Sequence, residues 1–172
     1  MEANFIKILQ AMAEHEVRFV VVGGIAANFH GSPLTTYDCD VVVSLESENL
    51  LHLAQALAPL SPTFRHKIPP QSFDETMAMK GGWKNIYLDT RAGVLDCLGD
   101  IKGLGDFVEC SAQSVEVNLE GFSIRFLTRD ALIAAKKAMG RPKDLLTVAH
   151  LEVGSEVEKI QQQDKPSEGS AP

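Results

Sequence analysis

The chain has 172 residues, of which 45% are hydrophobic and 23% charged, with a formal net charge of -7; these proportions suit one globular domain with one sizeable core. No run approaches the roughly 18 apolar residues of a membrane span, and Met1-Glu2-Ala3-Asn4 lacks the basic start and apolar stretch of a secretory signal, so no membrane partner is expected. The acidic balance argues against strong non-specific nucleic-acid binding, and three cysteines without metal-ligand spacing suit buried thiols in a reducing cytoplasm.

Residues 4–15 predict a helix, because Phe5, Ile8, Leu9 and Met12 recur at i, i+3, i+4 and i+7. Residues 19–22, Phe-Val-Val-Val, are an apolar β-branched run that reads as a buried strand. Gly23-Gly24 ends it, and residues 25–30 allow only a short helix before Gly31 and Pro33. A glycine pair running into a helix N-terminus offers free backbone N–H groups and lets a phosphate approach closely. Residues 38–43, Asp-Cys-Asp-Val-Val-Val, predict a second strand. Residues i and i+2 of a strand share a face, so Asp38 and Asp40 stand side by side and Cys39 faces away. Two like charges there are unfavourable unless a cation lies between them. Mg²⁺ is the natural candidate, since it prefers carboxylate oxygen together with substrate phosphate.

Residues 47–57 predict a helix with Leu50, Leu53, Ala54 and Leu57 buried and Ser47 as N-cap. Residues 61–72 contain Pro62, Pro69 and Pro70 beside Arg65, His66 and Lys67 and read as a solvated connecting loop, with a substrate-facing cationic loop as the alternative. Residues 85–90 and 93–98 read as two short strands around a turn, with Asp89 explained as a turn residue beside Thr90 and Arg91. Asp96 lies in an otherwise apolar strand, where a lone carboxylate is costly unless paired or metal-bound.

Residues 101–111 read as a loop leading into a short element, and residues 114–118 and 122–127 as a hairpin about Glu120-Gly121. A helix starts at Thr128, which can cap it, and packs through Leu132, Ala135 and Met139, with Lys136 at the edge of that stripe. Gly140 and Arg141-Pro142 end it. A last helix begins near Lys143, with Leu146, Ala149, His150, Val153 and Val157 on one side. The domain is expected to span 1–160. Residues 161–172, rich in Gln, Ser, Gly and Pro, are expected to be a disordered tail.

The order Gly23-Gly24, spacer, Thr36-x-Asp38-x-Asp40, apolar strand resembles the nucleotidyltransferase superfamily with the DNA polymerase β-like fold. More narrowly it resembles the bacterial minimal and abortive-infection type nucleotidyltransferases. A second stretch, residues 132–145, Leu-Ile-Ala-Ala-Lys-Lys-Ala-Met-Gly-Arg-Pro-Lys-Asp-Leu, resembles the C-terminal signature of the same proteins. The resemblance covers residues 17–152 and implies an α/β fold, a mixed sheet with helices on one face plus a C-terminal helical pair. It implies transfer of a nucleoside monophosphate from an NTP to an acceptor, which is left open among small molecule, RNA and protein. By position, Asp38, Asp40 and Asp96 would hold two Mg²⁺ ions, with Asp89 the competitor for the third carboxylate. Gly23, Gly24, Thr36, Lys143 and Asp144 would face the nucleotide, and Lys136 would act on the phosphates. Leu34 departs from the pattern, because relatives usually carry an arginine there. A catalytically weakened nucleotide-binding protein, or an antitoxin-like interaction protein with a toxin partner, is the alternative expectation.

Overall fold

The computed structural model describes residues 4–163, with side-chain surroundings given for residues 4–154. The elements in chain order are α1 (Phe5–Glu14), β1 (Phe19–Val21), α2 (Gly23–Phe29), β2 (Asp38–Val43), α3 (Ser47–Leu57), β3 (Thr63–Phe64), α4 (Glu75–Ala78), β4 (Asn85–Thr90), β5 (Gly93–Leu98), β6 (Asp100–Ile101), β7 (Gly105–Asp106), α5 (Phe107–Ala112), β8 (Ser114–Leu119), β9 (Phe122–Leu127), α6 (Arg129–Met139) and α7 (Pro142–Gln163). Seven strands form one mixed sheet in the order β3-β4-β5-β2-β1-β9-β8, and β6 pairs with β7 apart from it. β2 runs parallel to β5 and antiparallel to β1, and β1 runs parallel to β9. The expected α/β architecture with a C-terminal helical pair, α6 packed on α7, is what forms. No helix among the described residues is long and apolar enough to cross a membrane.

Strand alternation divides the middle of the sheet into two unlike faces. One side carries Cys39, Val41 and Val43 of β2, Leu95 and Cys97 of β5, and Ile86 and Leu88 of β4, all buried. Ile8, Leu9 and Met12 of α1 and Leu50, Leu53 and Leu57 of α3 belong to the same core. Burying a large aliphatic side chain is worth about 1.5–3 kcal/mol, so this face sets the register of β2 against β5. The other side of the same strands carries Asp38, Asp40, Asp96 and Tyr87.

The structure departs from the sequence reading at several points. The α2 helix starts at Gly23, not Ile25, so both glycines lie in its first turn. Glu46 rather than Ser47 precedes α3 as its N-cap, without a side-chain hydrogen bond. The 61–72 segment is not a plain connector, since Thr63 and Phe64 pair with β4 at the sheet edge. The turn after β4 is held by Thr90, whose hydroxyl donates to Gly93 O (2.7 Å) and accepts from Ala92 N–H (3.1 Å). Asp89 instead points toward Arg65, which takes away the turn role expected of it. Met139 is 40% exposed rather than packed.

The phase of α7 also differs. Its buried positions are Asp144, Thr147, Val148 and Leu151, while Leu146 and Val153 are exposed. Apolar periodicity misassigned the face because one buried anchor is a carboxylate. Val157 lies outside the residues whose side chains are described, and the expected tail lies, from residue 164 on, outside the described residues.

Candidate active site

The site forms where β1 hands over to α2 and where β2 and β5 lie side by side. Asp40 is directly opposite Asp96 in the parallel register, and Asp38 precedes Asp40 by two residues on the same face. One carboxylate oxygen from each of the three comes within 4.8 Å of the others. Thr36 fixes one member of the group: its hydroxyl donates to Asp38 Oδ1 at 3.1 Å. Burial, with the neighbouring charges of Asp38 and then Asp96, pushes the Asp40 carboxyl up to about 6; Lys136 and Lys143 oppose the shift. Three carboxylates crowded at one place repel one another, and a cation among them relieves that repulsion. An all-oxygen donor set suits a hard divalent ion, so the residues present fit Mg²⁺.

The two glycines are required by close approach. A Cβ at Gly23, which has φ +60°, would overlap the Asp40 carboxylate. A Cβ at Gly24 would overlap the Thr36 hydroxyl and come within 2.6 Å of its Cβ. The helix start is therefore pressed against the acidic group, with no side-chain cap on its first N–H groups.

A cleft of about 610 Å³ opens over the carboxylates, lined by Gly24, Leu34, Thr36, Tyr37, Tyr87 and Met139, with Lys136, Arg141 and Lys143 from the α6–α7 side. A smaller cavity of about 320 Å³ also touches Asp40, Lys136 and Arg141 and brings in Gly23 and Asp144. Leu34 is half-buried in the cleft wall. Asp144 is wholly buried. Its carboxylate accepts from Lys136 Nζ (3.0 Å), Arg141 Nε (2.6 Å) and Arg141 Nη2 (3.3 Å). Burial pushes the Asp144 carboxyl up, but the hydrogen bonds from Arg141 and then Lys136 outweigh it and hold the group below its ordinary range.

Of the residues singled out from sequence, Asp38, Asp40, Asp96, Thr36, Gly23, Gly24, Lys136 and Lys143 come together around these cavities. Asp144 lines the smaller cavity with them and is engaged with two cations. Sequence reasoning preferred a solvated connector for the loop that carries Arg65, which the structure places on Asp96: Nη2 donates to Oδ1 and Nη1 lies 3.5 Å from Oδ2. The cluster Arg65-His66-Lys67 was visible in the sequence, yet nothing local marked Arg65 as the member that turns inward. Arg141, part of the Arg-Pro-Lys-Asp turn in the second resembling stretch, lines the cleft.

No protein-family model matches the chain, and no curated protein does. Among solved structures it is similar to ANT(2'')-Ia in complex with adenylyl-2''-tobramycin, with a TM-score of 0.57 and 15% identity over 91% of this chain and 90% of that one. The solution structure of the antibiotic-resistance factor ANT(2'')-Ia gives 0.58 and 16%, over 91% and 85% of the two chains. A candidate nucleotidyltransferase from Thermotoga maritima overlaps more loosely, at 0.47 and 15% identity over 92% and 93%. At these identities the likeness is one of fold: the chain has the nucleotidyltransferase fold.

Proposed function

We propose that the protein is a nucleotidyltransferase that moves a nucleoside monophosphate from an NTP to an acceptor hydroxyl. The observation that carries this reading is the convergence of Asp38, Asp40 and Asp96 within 4.8 Å at the floor of a cleft also lined by Lys136, Arg141 and Lys143. The similarity in fold to ANT(2'')-Ia, a protein solved with an adenylylated product, supports it.

In this reading the three aspartates would hold Mg²⁺, which would supply charge stabilisation on the phosphates and a lowered pKa for the acceptor hydroxyl. Asp40 is mostly ionised at neutral pH, since its carboxyl titrates at about 6. Thr36 keeps Asp38 turned toward its neighbours. Gly23 and Gly24 leave the start of α2 bare, so backbone N–H groups can face the triphosphate. Lys136 and Lys143 supply positive charge to the phosphates as point donors. Asp144 holds Lys136 and Arg141 in place.

The test is incubation with labelled NTPs, Mg²⁺ and total cell RNA, protein or small-molecule extract, in parallel with Asp40→Asn. Label transferred by the parent and lost in the variant is the expected result. Nucleotide binding without any transfer by the parent would favour a second reading, a nucleotide-binding protein with weak turnover. The observation behind that second reading is Leu34, which brings neither charge nor donor to the cleft wall.

A further inference from the structure

Arg65 belongs to no role assigned so far. It follows β3, and its N–H donates to Tyr87 O at 2.9 Å, which carries the side chain over β4 toward β5. The guanidinium carbon lies 5.9 Å from the centroid of the Tyr87 ring. The side chain is 22% exposed and that of Asp96 is 13% exposed. The fork of Arg65 engages both oxygens of Asp96. Its buried Nε makes no hydrogen bond and lies 3.6 Å from an oxygen of Asp89, whose side chain is 53% exposed. Arg65 therefore sits between two carboxylates, hydrogen-bonded to one and ion-paired at longer range with the other.

We propose that Arg65 is the resident counter-ion of the three-aspartate site, holding Asp96 in the cation-free protein and passing to Asp89 when a divalent ion takes Asp96. The inference rests on the reading of Asp38, Asp40 and Asp96 as a divalent-cation site. A guanidinium on Asp96 relieves the repulsion among the three carboxylates, and its two-point geometry gives it a defined direction. An incoming divalent ion meets that positive charge and the donors covering the Asp96 oxygens. Turning the guanidinium toward Asp89 shortens the 3.6 Å ion pair to hydrogen-bond distance, gives Nε the acceptor it lacks, and frees Asp96. A buried unsatisfied donor is costly, so the second position is favourable once the ion has replaced the charge on Asp96. Arg65 is thus a positioning residue whose removal helps the ion bind, the opposite of what loss of a supporting residue does.

The experiment measures Mn²⁺ affinity without nucleotide, by calorimetry and by the paramagnetic resonance signal of free Mn²⁺, for the parent, Arg65→Gln and Asp89→Asn. Arg65→Gln is expected to bind Mn²⁺ at least tenfold more tightly. Asp89→Asn is expected to bind it several-fold more weakly, because the guanidinium is offered a neutral amide oxygen in place of a carboxylate. Equal or weaker binding by Arg65→Gln overturns the proposal while leaving the cation site standing; absence of Mn²⁺ binding in every protein overturns both. A measurement on the parent alone covers the case in which a variant does not fold. The Arg65 Nε–H resonance, assigned through its backbone, should shift on adding Mg²⁺ as it gains a carboxylate acceptor. A resonance that stays put at saturating Mg²⁺ refutes the exchange.

Discussion

Replacing Asp144 by asparagine tests the link between the C-terminal helices and the cleft. The carboxylate is wholly buried and accepts from Lys136 at 3.0 Å and from Arg141 at 2.6 and 3.3 Å. Hydrogen bonds to charged groups are worth about 1.5–3 kcal/mol. The Lys136 side chain is only 16% exposed, so its bond keeps most of that value. The Arg141 side chain is 51% exposed, so solvent screening reduces its share to about 0–1 kcal/mol. The expected loss for Asp144→Asn is therefore about 1.5–4 kcal/mol, which in a domain of this size lowers the melting temperature by about 3–16 °C. The sign of the pH dependence follows from the direction of the shift. The folded-state pKa is depressed, so the stabilisation is fully present above the unfolded carboxylate value, about 3.9, and is lost as pH falls through the folded value. Urea unfolding of parent and variant at a series of pH values should show a gap that is full at pH 6–7 and narrows below about pH 4. A loss under 0.5 kcal/mol at pH 7, or a gap unchanged by acid, would refute the idea that Asp144 acts as a buried anion.

Three further outcomes are expected. Because the Asp40 carboxyl is pushed up to about 6 by burial and then by its acidic neighbours, and because a protonated carboxyl does not ligate, Mn²⁺ affinity should fall about tenfold between pH 7 and pH 5. A flat calorimetric profile would remove Asp40 from the ligand set. In Gly24→Ala the new methyl meets Thr36 Cβ at 2.6 Å and pushes the hydroxyl off Asp38. A stability loss of about 1–3 kcal/mol with weaker Mn²⁺ binding is expected, and a variant that melts like the parent contradicts the close approach. Leu34→Arg adds a cation to the cleft wall and should raise turnover about tenfold, or 1.4 kcal/mol of barrier, with NTP affinity nearly unchanged. If single-turnover rates do not move, Leu34 does not limit the reaction.

What could be read from the sequence was what short-range periodicity encodes. The i, i+2 alternation of Asp38 and Asp40 put both on one face of a strand, and the i, i+3, i+4 spacing of α1 named its buried residues. Thr128 and Gly140 announced the ends of α6: the Thr128 hydroxyl accepts from Ala131 N–H at 3.3 Å, and Gly140 takes the left-handed conformation at φ +69°. Each of these depends on backbone geometry within one turn or one pleat, so the residues carrying the signal are neighbours in the chain. The convergence of Asp96 on Asp40 was legible only as a costly carboxylate in an apolar strand. Its actual position opposite Asp40 was decided by how Leu95 and Cys97 pack beside Val41 in the core.

The tertiary structure alone decided the rest. Asp144 sets the phase of α7 because Lys136 and Arg141 compensate its charge, and a hydropathy pattern counts a carboxylate as solvent-facing whatever its partners. Asp89 lost its expected turn role to Thr90 because β3 brings Arg65 within reach of it. Arg65 and Asp96 are 31 residues apart and meet only because β3 and β5 flank the same strand, β4. Helices, strands and caps follow from local backbone preferences. Which charges end up facing one another depends on strand order and register, which are settled by burial across the whole core and leave no mark within a short stretch of sequence.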